Sequence, residues 1–233
     1  MTTFNFGELS DTHLVVNAVY VGGRNGNVGD DPISKLFKGE DKGGVGNMGG
    51  FRLSGSPSRP NLVVLYTSGE ETDWPDAIDS HSGIFTYFGD NRTPGQNIHE
   101  TPRSGNLILH HVFERLHVGD RNGPPFFIFE KEGSWRDVVY RGIAVPGAPS
   151  LGRGEDLVSY WDDTEGEPFQ NYRGAFSVLD APMINRRWLD ELYAGNDLGS
   201  HCPAAWRLWR ETGEYLTVGL EGPPEENMGG NMS

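Results

Sequence analysis

Short apolar runs separated by glycine and proline set the pattern of this chain. Seven runs predict strands, at 14–21, 62–66, 84–88, 126–130, 138–145, 157–161 and 175–179. Several, such as LVVLY and FFIFE, are continuous rather than alternating, as in strands buried on both faces. Helical spacing is rarer. Asp31 and Pro32 supply an N-cap and an N1 proline for a short helix through Phe37. Leu109, Val112, Phe113 and Leu116 recur at helical spacing and predict an amphipathic helix over 106–117. RRWLDELYA at 186–194 predicts another, stopped by Gly195. A last helix starts near Pro203 and turns Trp206 and Trp209 toward the body.

Between these elements, the glycine-dense stretch 39–50 predicts a mobile loop and 146–156 a second irregular connection. No internal repeat is present. The expectation is one α+β domain, residues 1–212, around a strongly curved sheet with a helical segment from about 181 packed after it. Residues 213–233 follow as an acidic tail or truncated linker.

Composition narrows the function classes. Six Trp, eight Tyr and twelve Phe supply a core without disulfides. The single cysteine, Cys202, excludes an internal disulfide and any multi-cysteine zinc site. The amino terminus lacks the regions of a signal peptide, and no run nears the ~18 apolar residues of a membrane span. A soluble cytoplasmic chain is expected. The net charge of −14 weighs against a simple nucleic-acid binder. Much of that charge lies late: residues 154–233 hold fifteen acids against five arginines. An arginine-bearing face earlier in the chain remains open, with Arg92, Arg103, Arg115, Arg121, Arg136, Arg141 and Arg153 as candidates.

The segment 62–106 carries the most information. A buried strand ends in a polar loop holding Trp74, Asp76 and Asp79, and a second strand ends in Tyr87 before a Gly-Asp-Asn-Arg turn. An extrahelical base needs flat side chains to stack on its faces and a partner for its pairing edge. A carboxylate accepts from the N4 amine of cytosine, whereas thymine offers a carbonyl there. Trp74, Asp76 and Tyr87 provide that set. Each has an ordinary structural use as well. A tyrosine in IFTYF is commonly a core residue, and Asp73, Asp76 or Asp79 can make an Asx turn.

Gly83-Ile84-Phe85-Thr86-Tyr87-Phe88-Gly89 after an acidic loop resembles the base-binding strand of SRA (SET- and RING-associated) domains. The chain is more similar still to the amino-terminal SRA-like domain of AspBHI-type modification-dependent restriction endonucleases, relatives of the MspJI enzymes. Tyr20-Val21-Gly22-Gly23, Gly49-Gly50-Phe51-Arg52, Trp74-Pro75-Asp76, Tyr87-Phe88-Gly89-Asp90-Asn91-Arg92 and Thr101-Pro102-Arg103-Ser104-Gly105-Asn106 carry the likeness. It continues from Pro168 to Trp206, so it spans roughly 14–212.

The resemblance implies an SRA-like (PUA-like) curved sheet or barrel that binds duplex DNA containing 5-methylcytosine, or 5-hydroxymethylcytosine, by base flipping. Tyr87 would stack on the base, Asp76 hold N4 and Trp74 oppose Tyr87. Softer DNA-facing candidates are Arg52 in its glycine-rich loop, Asn91 and Arg92 in the tight turn, and Arg103 with Ser104 before a helix start, where free backbone amides suit phosphate. A residue from loop 39–52 or 146–156 would fill the hole left in the duplex.

Catalytic chemistry is not legible. A nuclease of the related class needs two carboxylates and a lysine around Mg²⁺, and Glu130-Lys131-Glu132 has the wrong spacing. His110 and His111 diverge on a helix, and with His99 and His117 they suit structural roles better than ligation. Gly-x-Ser-x-Gly and a phosphate loop are missing. Cys202 beside Pro203 suits a packed thiol. No cofactor is expected, and cutting is left to a separate nuclease domain or subunit. Three alternatives stay open: a reader of another mark (phosphorothioate DNA or modified RNA), a nuclease with unrecognised catalytic residues, and an interaction domain without nucleic acid.

Overall fold

The computed structural model describes residues 2–38, 44–70 and 75–218. Trp74, residues 39–43 of the glycine-dense loop and 219–233 of the expected tail lie outside the described residues. The elements in chain order begin with β1 (Thr3–Phe4), β2 (Leu14–Val15), β3 (Val19–Tyr20), α1 (Pro32–Leu36), β4 (Phe51–Ser56) and β5 (Arg59–Thr67). Then come β6 (Ala77–Ile78), β7 (Ile84–Phe88), α2 (Gly105–His117), β8 (Phe126–Lys131) and β9 (Val138–Pro146). The last are β10 (Leu157–Thr164), β11 (Glu167–Val178), β12 (Met183–Ile184), α3 (Arg186–Tyr193) and α4 (Ala204–Thr212).

The continuous apolar runs have a simple consequence. Strands β5 and β8 lie side by side and parallel, Val63 opposite Phe126 through Thr67 opposite Glu130. Successive side chains point to opposite faces, so each run feeds two cores. Leu62, Val64, Phe127 and Phe129 go to one, with Ile33 and Leu36 of α1 and the tryptophans of α3 and α4. Val63, Leu65, Phe126 and Ile128 go to the other, with Ile108, Leu109, Val112 and Phe113 of α2. That double burial is why these strands do not alternate.

The main sheet runs in the order β4-β5-β8-β9-β11-β7-β6, with β3 branching from β9 and β10 from β11. The fold is α+β and sheet-dominated. The sheet path is open, so it is the sheet and not the barrel form of the expectation that holds. Register shifts interrupt it at Ser54/Gly55 and at Ile128/Phe129, and such bulges bend strands.

The expected strand over 14–21 is two short ones. Asn17 takes a left-handed φ of 62° between them, so β2 pairs with β12 while β3 pairs with β1 and β9. Strand β4 arises where the sequence suggested only a loop, because Ser54, Gly55 and Ser56 dilute its pattern. The run at 175–179 is the end of a twelve-residue strand whose residues 167–174 form a hairpin with β10. After Gly213 the chain returns to the body. Tyr215 Oη donates to Pro146 O (3.1 Å) and Thr217 bridges Leu179, so packed structure continues past the boundary expected at 212. Among the described residues no helix is long and apolar enough to cross a membrane.

Candidate functional site

Strand β7 alternates faces along IFTYF: Phe85 and Tyr87 are buried, and Ile84, Thr86 and Phe88 are half-buried. Its antiparallel neighbour β6 sets Ala77 opposite Thr86 and Ile78 opposite Phe85. One residue further, that register brings Asp76 opposite Tyr87, and directly opposed residues share a face. Asp76 is fixed there by a hydrogen bond its Oδ1 accepts from the Phe88 amide at 2.9 Å. Asx-turn duty falls to Asp79 instead, whose carboxylate accepts from His81 N (3.1 Å) and Ser82 Oγ (2.5 Å).

Asp76 and Tyr87 line one cleft of about 390 Å³. Gly49, Gly50 and Phe51 form one wall, Tyr66, Thr67 and Ser68 close it at the end of β5, and Asp90, Arg92, Pro102 and Arg103 stand at its edge. The volume is in the range of small-molecule sites, ~300–1,000 Å³. Tyr87 is only 4% exposed, with Phe85 at 6.0 Å and Phe51 at 6.4 Å between ring centroids. Burial pushes its phenol well above the ordinary tyrosine value; Asp76 and Asp90 add to this, and Arg92 and Arg103 oppose it. The ring is therefore neutral, and its packing against Phe85 and Phe51 leaves little of it exposed.

A buried polar network holds the turn that follows. Asp90 accepts from the Gly105 amide at 3.1 Å and the Asn106 amide at 3.0 Å, capping α2, while its own amide donates to Asn106 Oδ1. Asn106 Nδ2 donates to Asn171 Oδ1, and Asn171 Nδ2 to Gly89 O, each at 3.0 Å. Only glycine fits at 89: a Cβ there would lie 1.9 Å from Asn106 Oδ1.

This geometry revises several expected DNA contacts. The helix start proposed as a phosphate cradle already holds a carboxylate, that of Asp90, so Ser104 (φ 55°) flanks a satisfied terminus. Asn91 is 1% exposed and donates to Gln170 O at 2.9 Å while accepting from Thr93 N, so it is a turn brace and not a surface group. Arg52 is 5% exposed, ion-paired to Asp31 at 2.8 Å and bonded to backbone carbonyls, so its guanidinium is already engaged within the fold. Arg92 is exposed at the cleft, and Arg103 lines it while donating to Met48 O. Of the other arginines, Arg115 pairs with Asp120 and Arg141 with Glu130.

The histidines are held within the structure. His99 stacks on His110 at 4.6 Å and shares a 3.0 Å hydrogen bond with Tyr172 Oη; burial, then His110 and His111, keeps its pKa below the ordinary value. His117 pairs with Asp156 at 2.8 Å. Burial pushes the Cys202 thiol up to about 11. Among the described residues no group of three or more His, Cys, Asp or Glu is placed to hold a metal ion. Sequence reasoning missed Asp90, Tyr66 and Phe88 as members of the site. The position of Tyr66 at the end of a buried strand was the available signal.

A family model described as the restriction endonuclease AspBHI N-terminal domain matches residues 14–220. The chain belongs to the AspBHI N-terminal family. Solved structures agree. The DNA modification-dependent restriction endonuclease AspBHI is 40% identical with a TM-score of 0.86, over 95% of this chain and 100% of that one. The DNA recognition domain of the cytosine modification-dependent restriction endonuclease LpnPI is 40% identical with a TM-score of 0.85, over 96% and 97%. The MspJI restriction endonuclease, in complex with a 27-mer oligonucleotide, has a TM-score of 0.65 over 88% of this chain and 53% of that one. At 20% identity, that likeness is one of fold alone. No curated protein sequence matches the chain. For this AspBHI-family chain the shared part includes the whole cleft, since every residue lining it falls within 14–220.

Proposed function

We propose that this chain is the DNA-reading module of a modification-dependent restriction system, acting in the cytoplasm. It takes 5-methylcytosine, or 5-hydroxymethylcytosine, out of duplex DNA into the cleft between β6–β7 and the Gly49–Gly50 wall. The observation that carries this reading is that Asp76 and Tyr87 line the same cleft.

Asp76 accepts from cytosine N4, and a carboxylate, with about four acceptor sites, can do so while it also holds the Phe88 amide. The base lies against the Tyr87 ring, with Trp74 as the opposing aromatic. Stacking worth about 1–3 kcal/mol per base offsets unpairing that costs a few kcal/mol. Arg92 and Arg103 meet the flanking phosphates. Arg103 with Ser104 also lines an adjoining hollow of about 250 Å³ beside the cleft. Cutting belongs to a nuclease domain or subunit, and this chain binds only.

A gel-shift panel of duplexes differing at one cytosine tests the reading, with phosphorothioate DNA and RNA duplexes as further arms. Binding tightest to the modified cytosine is expected. Asp76→Ala removes a hydrogen bond to a charged group, about 1.5–3 kcal/mol, hence about 10- to 100-fold in discrimination. Equal binding to plain DNA, a preference for the sulfur mark, or cleavage of methylated plasmid in Mg²⁺ would each count against it.

A further inference from the structure

We propose that Arg52 is a positioning residue for the cleft: it fixes the glycine wall at the spacing a base requires, without touching DNA. This rests on the base-binding reading above. The Gly49–Gly50 part of the wall has no side chain to define it. Gly49 takes φ +84°, and a Cβ there would come within 2.5 Å of the Arg103 guanidinium. A Cβ on Gly50 would stand 3.0 Å from Tyr66 O and 3.5 Å from Tyr87 Oη. The width of the cleft is therefore set by where this backbone lies, and glycine-rich backbone has the most freedom to lie elsewhere.

Arg52 removes that freedom. Its Nε donates to Gly49 O at 2.8 Å and its Nη1 to Gly46 O at 3.1 Å, so one planar group grips the segment at both ends of 46–49. The guanidinium also stands over the Tyr66 ring at 5.4 Å, and Tyr66 lines the cleft. Its anchor is rigid. Nη1 pairs with Asp31 Oδ2 at 2.8 Å, the two side chains being 4% and 6% exposed. The same Asp31 oxygen caps α1 by accepting from Ser34 N at 2.7 Å. A line of contacts thus runs from a helix start through a buried ion pair to the cleft wall. Lysine keeps the charge but not the fork, so it cannot hold both carbonyls.

The test uses the whole chain and two variants, Arg52→Lys and Gly49→Ala. Three quantities are read well below the melting temperature: the affinity ratio for modified over plain duplex, the salt dependence of plain-duplex binding, and the fluorescence of 2-aminopurine beside the modified cytosine. Misplacing a site by about 1 Å costs up to about a hundredfold. Both variants are therefore expected to lose about ten- to a hundredfold of the ratio and most of the unstacking signal. Arg52→Lys does so with plain-duplex affinity and salt slope unchanged; Gly49→Ala also crowds the Arg103 guanidinium, so its salt slope is not part of the test. Retained discrimination in Arg52→Lys overturns the proposal, as does a salt slope reduced by about one, the mark of a lost phosphate contact. Should Arg52→Lys fail to fold, retained discrimination in Gly49→Ala overturns the proposal, because a Cβ there displaces the wall. A wild-type chain that does not discriminate refutes the base-binding reading itself.

Discussion

The helical cap and the cleft are held by different physics. In the cap, Trp188, Trp206 and Trp209 are at most 1% exposed and pack at 5.8 and 5.5 Å between ring centroids. Their support is area removed from water, with the indole N–H groups of Trp188 and Trp206 tied to Asp197. At the cleft the supports are short polar clamps: Asp90 on the start of α2, Asn106 to Asn171, and Arg52 on Gly46 and Gly49. Aromatic packing tolerates small shifts, whereas hydrogen bonds fix distance and direction. The cap is built for stability and the cleft for placement.

The largest expected effect separates the two. Trp206→Ala should cost about 3–5 kcal/mol of folding stability, read by urea denaturation, while the molecules that remain folded keep their discrimination between modified and plain duplex. A loss of discrimination at full stability would erase the distinction. A smaller effect of the opposite kind is expected from Asp90→Ala. Losing a helix cap costs about 0.5–2 kcal/mol, and the turn carrying Arg92 loses its brace, so duplex affinity should fall more than stability. Thermal melts beside gel shifts measure both.

The smallest effect concerns pH. His99 has its pKa depressed in the folded state, chiefly by burial. The unfolded chain therefore binds that proton more readily, and stability falls as pH drops from the ordinary histidine value of about 6.5 toward the folded one. Replacing His99 by Gln should flatten the melting temperature between pH 7 and 5 by about 1–2 °C. An unchanged slope would contradict a stabilising role for the neutral form of His99.

Much of this architecture was legible because pattern and burial agree. Strand β7 has the bounds its sequence suggests, 84–88, and the helical stripe of α2 is the face that packs. Strand β4 was not legible, since glycine and serine mask an edge strand, and Asn17, a residue type that tolerates the left-handed region, sits inside an apolar run that reads as one strand. The same division applies at the cleft. Asp76 and Tyr87 stand out through the chemistry a flipped cytosine needs and through the family resemblance, whereas the short strand β6 beside Asp76 left no pattern in the sequence. Arg52 and Asn91 looked like loop groups, but residue type does not report burial. The Asp90 cap on α2 spans fifteen residues, a pairing no local motif encodes.

The most direct measurement is the structure of the chain bound to a duplex with a single 5-methylcytosine. The modified base should leave the stack, with N4 within about 3 Å of an Asp76 carboxylate oxygen and one face against Tyr87. A methylated cytosine that stays paired in the helix while the protein is bound, with the cleft turned from the DNA, would contradict the account.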